Sequence, residues 1–188
     1  MLAEISLNVI DIARNSVRAE ASLVEIAVSI DTASQVLTLR ITDDGKGMTP
    51  EQVASVEDPF FTSRKTRSVG LGIPFLKQAA EITGGTLHID SEVGKGTNVI
   101  ATFHQDNIDC MPLGDINSSI HTLVTSTSED IDFLYTYEVD GRSFALDTRE
   151  IKEIVGGVPL QNIEISAWIK SYLDENKEEV DGGGNGGE

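Results

Sequence analysis

The run DDGKGM at positions 43–48 has the pattern D-x-G-x-G and directly follows a strand-like stretch. A carboxylate fixed at a strand end can accept a hydrogen bond from an exocyclic amine, and glycines let the backbone approach a flat ring closely. Asp43, Gly45 and Gly47 are therefore compatible with a pocket for a planar, amine-bearing ring. A plain Asp-Gly turn explains the same residues when the motif is taken alone.

Three polar side chains share one stripe of the first helical segment. Asp11 and Asn15 lie four residues apart, and Asn8 falls on the same stripe, so all three project from one face. Oxygen ligands of this kind suit Mg²⁺, which keeps several waters and takes one or two protein ligands beside phosphates. The alternative is a solvated helix face that binds nothing.

The dense basic cluster of this acidic chain stands directly before a glycine-rich helix start. Glycine amides at a helix start, aided by the positive end of the helix dipole, form a natural phosphate site. The combination favours phosphate binding over a solvated loop. Farther along, the turn GKGT ends at Thr97 between two strand-like runs. The cluster and the helix start comprise Arg64, Lys65, Arg67, Gly70, Leu71 and Gly72.

Regular elements that would position these residues run from the amino terminus to about His104. Apolar residues recur at three- to five-residue steps from Leu2 to about Ala19 and predict an amphipathic helix. Runs rich in β-branched residues at 24–30 and 36–42 predict a hairpin. A short helix, a loop, a longer helix and a second hairpin follow. This order predicts an α+β two-layer sandwich, with helices covering one face of a mixed, mostly antiparallel sheet.

The pattern changes after this region, and we predict three parts: a domain at 1–106, an α/β extension at 107–180 and a flexible Gly-rich tail at 181–188. The extension should contain a helix near 114–126, a hairpin around an Asp-Gly turn and two further helices. We interpret it as a regulatory or partner-binding unit. The acidic charge is concentrated in 128–188, which carries −10, against −7 for the preceding residues.

Composition limits the classes of function. A net charge of −17 argues against a nucleic-acid binder, because phosphate contacts need concentrated Lys and Arg. A single cysteine, Cys110, rules out an intramolecular disulfide and indicates a reducing compartment. The sequence has neither a long apolar run nor the features of a signal peptide at its start. We therefore expect a soluble cytoplasmic protein with no membrane segment.

Taken in order, these segments resemble the histidine-kinase-like ATPase superfamily, whose ATP-binding domain has the Bergerat fold. The superfamily includes gyrase, heat-shock chaperones, histidine kinases and mismatch-repair ATPases. The resemblance covers about residues 4–104 and rests on five motifs in order. DIARNS resembles the asparagine box, DDGKGM the first glycine box, DPFFTSR the phenylalanine box of histidine kinases, SVGLGIPFLKQAAEITGG the second glycine box and GKGT the third.

The resemblance implies two cofactors, ATP and Mg²⁺. It implies that Asn15 binds Mg²⁺, that Asp43 reads the adenine amine, and that Thr97 supports the adenine site. Glycines of the second box would hold phosphates under a lid at about 59–69. The cofactor-binding residues implied in this way are Asn15, Asp43, Gly45, Gly47, Arg64, Lys65, Arg67, Gly70, Leu71, Gly72 and Thr97.

Two departures from the superfamily pattern matter for the reaction. Members that hydrolyse ATP usually place a glutamate four residues before the asparagine, whereas this chain has Asp11. A shorter carboxylate reaches about one methylene less far, so Asp11 is a candidate general base or only orders a water. Histidine kinases carry their phosphoacceptor histidine on a hairpin ahead of the asparagine box. Only ten residues precede Asp11, so we expect no complete self-phosphorylating kinase.

Three functions fit these observations. The leading hypothesis is a histidine-kinase-like regulatory protein in signal transduction that binds Mg·ATP. It would act as a protein kinase in trans or as an anti-sigma-type switch, with a protein substrate docked on the acidic carboxy-terminal part. The second is a slow ATPase whose lid closure joins two chains into a homodimer, with Asp11 as the base. The third is a non-catalytic module that senses ATP and recruits a partner.

Overall fold

The computed structural model describes residues 4–57 and 71–182, and every structural statement below refers to these residues. The helices are α1 (Ile5–Arg18), α2 (Pro50–Glu57), α3 (Gly72–Ile82), α4 (Ile116–Ser126), α5 (Thr148–Val155) and α6 (Ile163–Gly182). The strands are β1 (Leu23–Asp31), β2 (Val36–Asp43), β3 (Leu87–Glu92), β4 (Gly96–His104), β5 (Asp132–Val139) and β6 (Arg142–Asp147).

The six strands form one sheet with the spatial order β3-β4-β2-β1-β5-β6. Four neighbouring pairs are antiparallel, and one pair, β1 with β5, is parallel. The predicted hairpins β1–β2 and β3–β4 are both present and join through the β2–β4 pair. The expectation of a mixed, mostly antiparallel sheet is therefore confirmed.

Helices cover one face of this sheet. Alternate strand residues are buried, and the register aligns them across the strands, so that Ile26 lies opposite Ile41 and Ile41 opposite Val99. The intervening residues, such as Glu25 and Arg40, project to the opposite face and are exposed. Helices α1, α3, α4 and α6 contact the strands. The predicted α+β two-layer sandwich is confirmed.

Local chemistry explains where the helices begin and end. Thr49 Oγ1 accepts from Gln52 N at 3.3 Å, and Gln52 Oε1 accepts from Thr49 N at 2.8 Å, which is a reciprocal cap at the start of α2. At the end of α3, Gly84 has φ +82°, a left-handed conformation that glycine adopts without penalty.

Residues beyond 106 continue the same sheet and the same core. Strand β5 pairs with β1 along its length, and α4 packs on α1. The first helix also depends on this region for its amino-terminal cap, because Pro112 O accepts from Ile5 N at 3.0 Å and Leu113 O accepts from Ser6 N at 2.9 Å. Within residues 4–57 and 71–182, no helix is both long and apolar enough to cross a bilayer.

Candidate nucleotide-binding site

The Asp43 carboxylate lies at the end of β2, and two groups of the protein orient it. Its Oδ1 accepts from the Gly45 N–H at 2.9 Å, and its Oδ2 accepts from the Ser16 hydroxyl at 2.5 Å. An ionised carboxylate has about four lone-pair sites, so these two bonds leave capacity for an exocyclic amine. The structure therefore presents a half-buried, pre-oriented acceptor at the strand end.

Ser16 is a part of the site that the sequence analysis missed. It lies in the last turn of α1 and is only 3% exposed. Its hydroxyl joins the helix that carries Asn15 to the Asp43 carboxylate at the end of β2. One signal in the sequence could have revealed it. Ser16 continues the apolar stripe formed by Ile5, Val9 and Ile12, where a polar side chain needs a partner.

Backbone contacts explain both glycines of the D-x-G-x-G run. A Cβ on Gly45 would lie 2.8 Å from Ala19 O, and a Cβ on Gly47 would lie 2.0 Å from Glu92 O. Gly47 also has φ +66°, a conformation that other residues rarely adopt. Loop 43–48 is therefore packed between the end of α1 and the β3–β4 turn.

Thr97 is adjacent to Asp43, its register partner on β4. The Thr97 hydroxyl lies 2.8 Å from Ser91 Oγ, which also accepts from Met48 N at 2.8 Å and lies 3.0 Å from Gly96 O. The sequence analysis did not identify Ser91, which joins loop 43–48 to the third glycine box. A single serine in an edge strand gave no signal for this role.

At the phosphate end of the predicted site, Asp11 lies next to the start of α3. A Cβ built on Gly72 would lie 3.0 Å from the Asp11 Cβ, so a larger residue at 72 would crowd that side chain. Leu71 precedes the helix and is 47% exposed. Among the described residues, no side chain caps this helix start, and uncapped amide groups of this kind can bind an anion.

Asn15 lies one helical turn beyond Asp11 on α1. Its Nδ2 is buried and has no hydrogen-bond partner among residues 4–57 and 71–182, while its Oδ1 accepts from Arg18 Nη1 at 3.3 Å. A buried donor without a partner costs about 1–3 kcal/mol, so a bound acceptor oxygen would stabilise this arrangement. Four other predicted site residues lie outside the described part of the chain: Arg64, Lys65, Arg67 and Gly70.

These structural features define a Bergerat-type ATPase sandwich, in which helix α1 carries Asn15 and lies beside the D-x-G-x-G loop at 43–48. Residues 1–107 match the family model described as "Histidine kinase-, DNA gyrase B-, and HSP90-like ATPase". The match covers more than half of the chain, and the chain belongs to this family. The resemblance inferred from the five motifs is confirmed.

The relatives that match this chain in sequence are longer proteins. It is 32% identical over 78 residues to the CAI-1 autoinducer sensor kinase/phosphatase CqsS of Vibrio cholerae, covering 42% of this chain and 11% of that protein. It is 29% identical over 94 residues to sporulation kinase D of Bacillus subtilis, covering 50% of this chain and 18% of that protein. The chain thus spans less than a fifth of either relative.

A solved structure shows the same fold at low identity. The N-terminal domain of a DNA repair protein matches with a TM-score of 0.55 and 13% identity, over 78% of this chain and 53% of that one. At this identity the likeness concerns the fold alone. Its coverage extends well beyond the share of the chain that either sequence relative matches.

Gly47→Ala tests whether close packing determines the shape of loop 43–48. We expect it to lower the free energy of unfolding by at least about 2 kcal/mol, because it adds left-handed strain and a clash with Glu92 O. Urea denaturation measures the change. Gly94→Ala is the matched control, since Gly94 has φ +81° but none of the described residues lies within 4 Å of an added Cβ. Equal losses in the two variants would contradict the packing explanation.

Proposed function

We propose that the chain binds Mg·ATP and acts as a nucleotide-dependent regulatory protein, as a protein kinase in trans or an anti-sigma-type switch. The observation that carries the proposal is the Asp43 carboxylate, which Ser16 and Gly45 orient at the end of β2. An acceptor fixed in this way discriminates in favour of a base with an amino group at the position that faces it, as adenine has at C6, over one with a carbonyl there, as guanine has. Membership of the ATPase family supports the same ligand.

Asn15 is the residue we propose for Mg²⁺, through its Oδ1. Within the described ranges, no group of three or more His, Cys, Asp and Glu side chains is arranged to hold a metal ion. A single protein ligand such as Asn15 is enough for Mg²⁺, which takes one or two protein ligands and completes its shell with phosphate oxygens and water. The bound ion would neutralise phosphate charge, and the buried Asn15 Nδ2 would donate to a phosphate oxygen.

Protein phosphorylation in trans needs few specialised groups, because phosphoryl transfer depends mainly on positioning and charge neutralisation. We propose that another protein is the substrate or partner and that it docks on the extension at 107–180. The acidic charge of this part favours a basic segment of the partner. An open groove of about 430 Å³ between α4 and α6 is also lined mainly by acidic side chains among its charged residues. It is lined by Asn117, Asp174, Lys177, Glu178, Asp181 and Gly182.

A slow ATPase is the second candidate, and the position of Asp11 favours it. Asp11 lies on α1 directly beside Gly72 at the start of α3, where the γ-phosphate is expected. A carboxylate there can take a proton from an attacking water. In this case, lid closure over ATP would join two chains into a homodimer.

Both candidate functions require that Asp43 binds the adenine of ATP. Calorimetry with Mg·ATP tests this premise in the Asp43→Ala variant. We expect the loss of this acceptor to cost about 1–3 kcal/mol of binding free energy, or roughly five- to 150-fold in affinity. Wild type should also prefer ATP to GTP, and the variant should lose that preference. The control is Asp90→Ala, which removes an exposed carboxylate of β3 whose hydrogen-bond partner is His88. Unchanged ATP affinity in Asp43→Ala would overturn the adenine assignment.

A further inference from the structure

Asp44, the second residue of the D-x-G-x-G run, binds the connection between α1 and β1. Its Oδ1 accepts from Ser22 N at 2.7 Å and from Leu23 N at 2.9 Å. Its Oδ2 accepts a short hydrogen bond from the Ser22 hydroxyl. The side chain is exposed, so hydrogen bonds rather than packing hold it in this place.

Two more contacts attach the same loop to the end of α1. Lys46 N donates to Ala19 O at 2.9 Å, and the Ser16 hydroxyl donates to Asp43. Loop 43–48 thus rests on the helix that carries Asn15. The distance between the predicted adenine acceptor and the predicted phosphate ligands therefore depends on how the loop docks on this helix end.

We propose that Asp44 is a positioning residue that fixes the spacing between the adenine end and the phosphate end of the nucleotide site. The inference rests on the proposed function, because it needs a ligand that spans both ends. A nucleotide contacts Asp43 and the start of α3 at the same time, so it benefits from a fixed spacing. A ligand that occupies only the phosphate end gains nothing from Asp44.

The electrostatics of Asp44 agree with this role. The partial loss of solvent around its carboxyl alone would raise the pKa, but hydrogen bonds from the Ser22 side chain and from the Leu23 and Ser22 N–H groups outweigh this effect. The pKa consequently lies below its usual value, and the carboxyl is an acceptor-only group at neutral pH. An acceptor-only group suits the three donors that meet it.

Asp140 provides a matched control at the other end of β1. Its Oδ1 accepts from Thr32 N at 2.9 Å, and its Oδ2 accepts from the Thr32 hydroxyl at 2.7 Å. The Thr32 side-chain and backbone hydrogen bonds likewise lower the pKa of Asp140. The two aspartates thus make the same kind of attachment, but only Asp44 belongs to the loop beside Asp43.

The experiment compares Asp44→Ala, Asp44→Asn and Asp140→Ala by calorimetry with Mg·ATP and with magnesium tripolyphosphate, alongside thermal unfolding. We expect Asp44→Ala to weaken ATP binding about tenfold and to leave tripolyphosphate binding unchanged. Asp44→Asn keeps an acceptor oxygen for the two N–H groups, so it should retain most of the affinity. Asp140→Ala should lower the melting temperature to a similar extent and leave ATP affinity unchanged.

Several outcomes would overturn the inference. They are unchanged ATP affinity in Asp44→Ala, an equal loss in Asp140→Ala, and an equal loss for tripolyphosphate. If Asp44→Ala does not fold, Ser22→Ala removes the hydroxyl bond alone and should still weaken ATP binding selectively. Wild type that binds no ATP would refute the proposed function itself. If wild type binds ATP and Asp44→Ala binds it with the same affinity, only the role of Asp44 is refuted.

Discussion

We expect a chain shortened to residues 1–106 not to fold cooperatively, and this is the largest effect that we predict for any change to this protein. The shortening removes β5 from beside β1 and takes away the buried side chains Phe133, Tyr135 and Tyr137. Truncating one buried aromatic side chain costs about 3–5 kcal/mol, and a whole domain is stable by only about 5–15 kcal/mol. Losing all three costs about 9–15 kcal/mol, which is as large as the stability of a whole domain.

Thermal unfolding followed by circular dichroism measures this effect. The matched control ends at residue 182 and loses only GGNGGE, which has no apolar side chain to bury, so we expect its melting temperature to equal that of the full chain. A sharp transition in the 1–106 chain would contradict the prediction. Binding of Mg·ATP by that chain would do so even more directly, because it would show an autonomous nucleotide site.

The attachment of the extension has a consequence for regulation. Helix α1 is held at its start by the Pro112 and Leu113 carbonyls and by contact between Glu4 and Gly114, where a Cβ would lie 2.0 Å from Glu4 Oε2. The same helix carries Asp11 and Asn15, two residues of the candidate nucleotide site. Under the proposed function, a partner that shifts α4 would act on the site through α1, with no separate linker.

Local patterns predicted most of the elements. The helix expected at 2–19 is α1, and the β-branched runs at 24–30 and 36–42 are β1 and β2. The Asp-Gly hairpin and the helix near 114–126 are also present as β5–β6 and α4. These elements were predictable because periods of 3.6 and 2 residues, turn glycines and caps act within a few residues.

Long-range pairing was not predictable. The alternation in DFLYTYEV indicates a strand, but nothing in it selects β1 as the parallel neighbour, because partner choice depends on the whole folded surface. The same limit applies within the candidate site. Ser16, Ser91 and Asp44 reach residues brought close by folding, and a lone serine or aspartate carries no spacing signal.

If the chain is an ATPase, we expect Asp11→Asn to abolish hydrolysis of the γ-phosphate and to leave Mg·ATP binding intact. In hydrolysis, the Asp11 carboxylate would accept a proton from water as the water oxygen bonds to the γ-phosphorus. The bond to the β–γ bridging oxygen then breaks, and ADP and phosphate leave. Asparagine has the same size but cannot take the proton. Removing a general base of this kind lowers the rate by about 10²- to 10⁴-fold.

Parallel assays of phosphate release, phosphate transfer to a partner protein and ATP affinity determine what Asp11 does. Asp11→Glu keeps a carboxylate and lets it reach about one methylene farther than that of Asp11. ATP-hydrolysing members of the family usually have this glutamate, so the variant should keep or raise turnover. Persistent hydrolysis in Asp11→Asn would show that Asp11 is not the base. Loss of ATP affinity in that variant would instead make Asp11 part of binding. A result in which hydrolysis is lost but transfer persists would identify Asp11 as the residue that activates water, and it would favour the kinase over the ATPase.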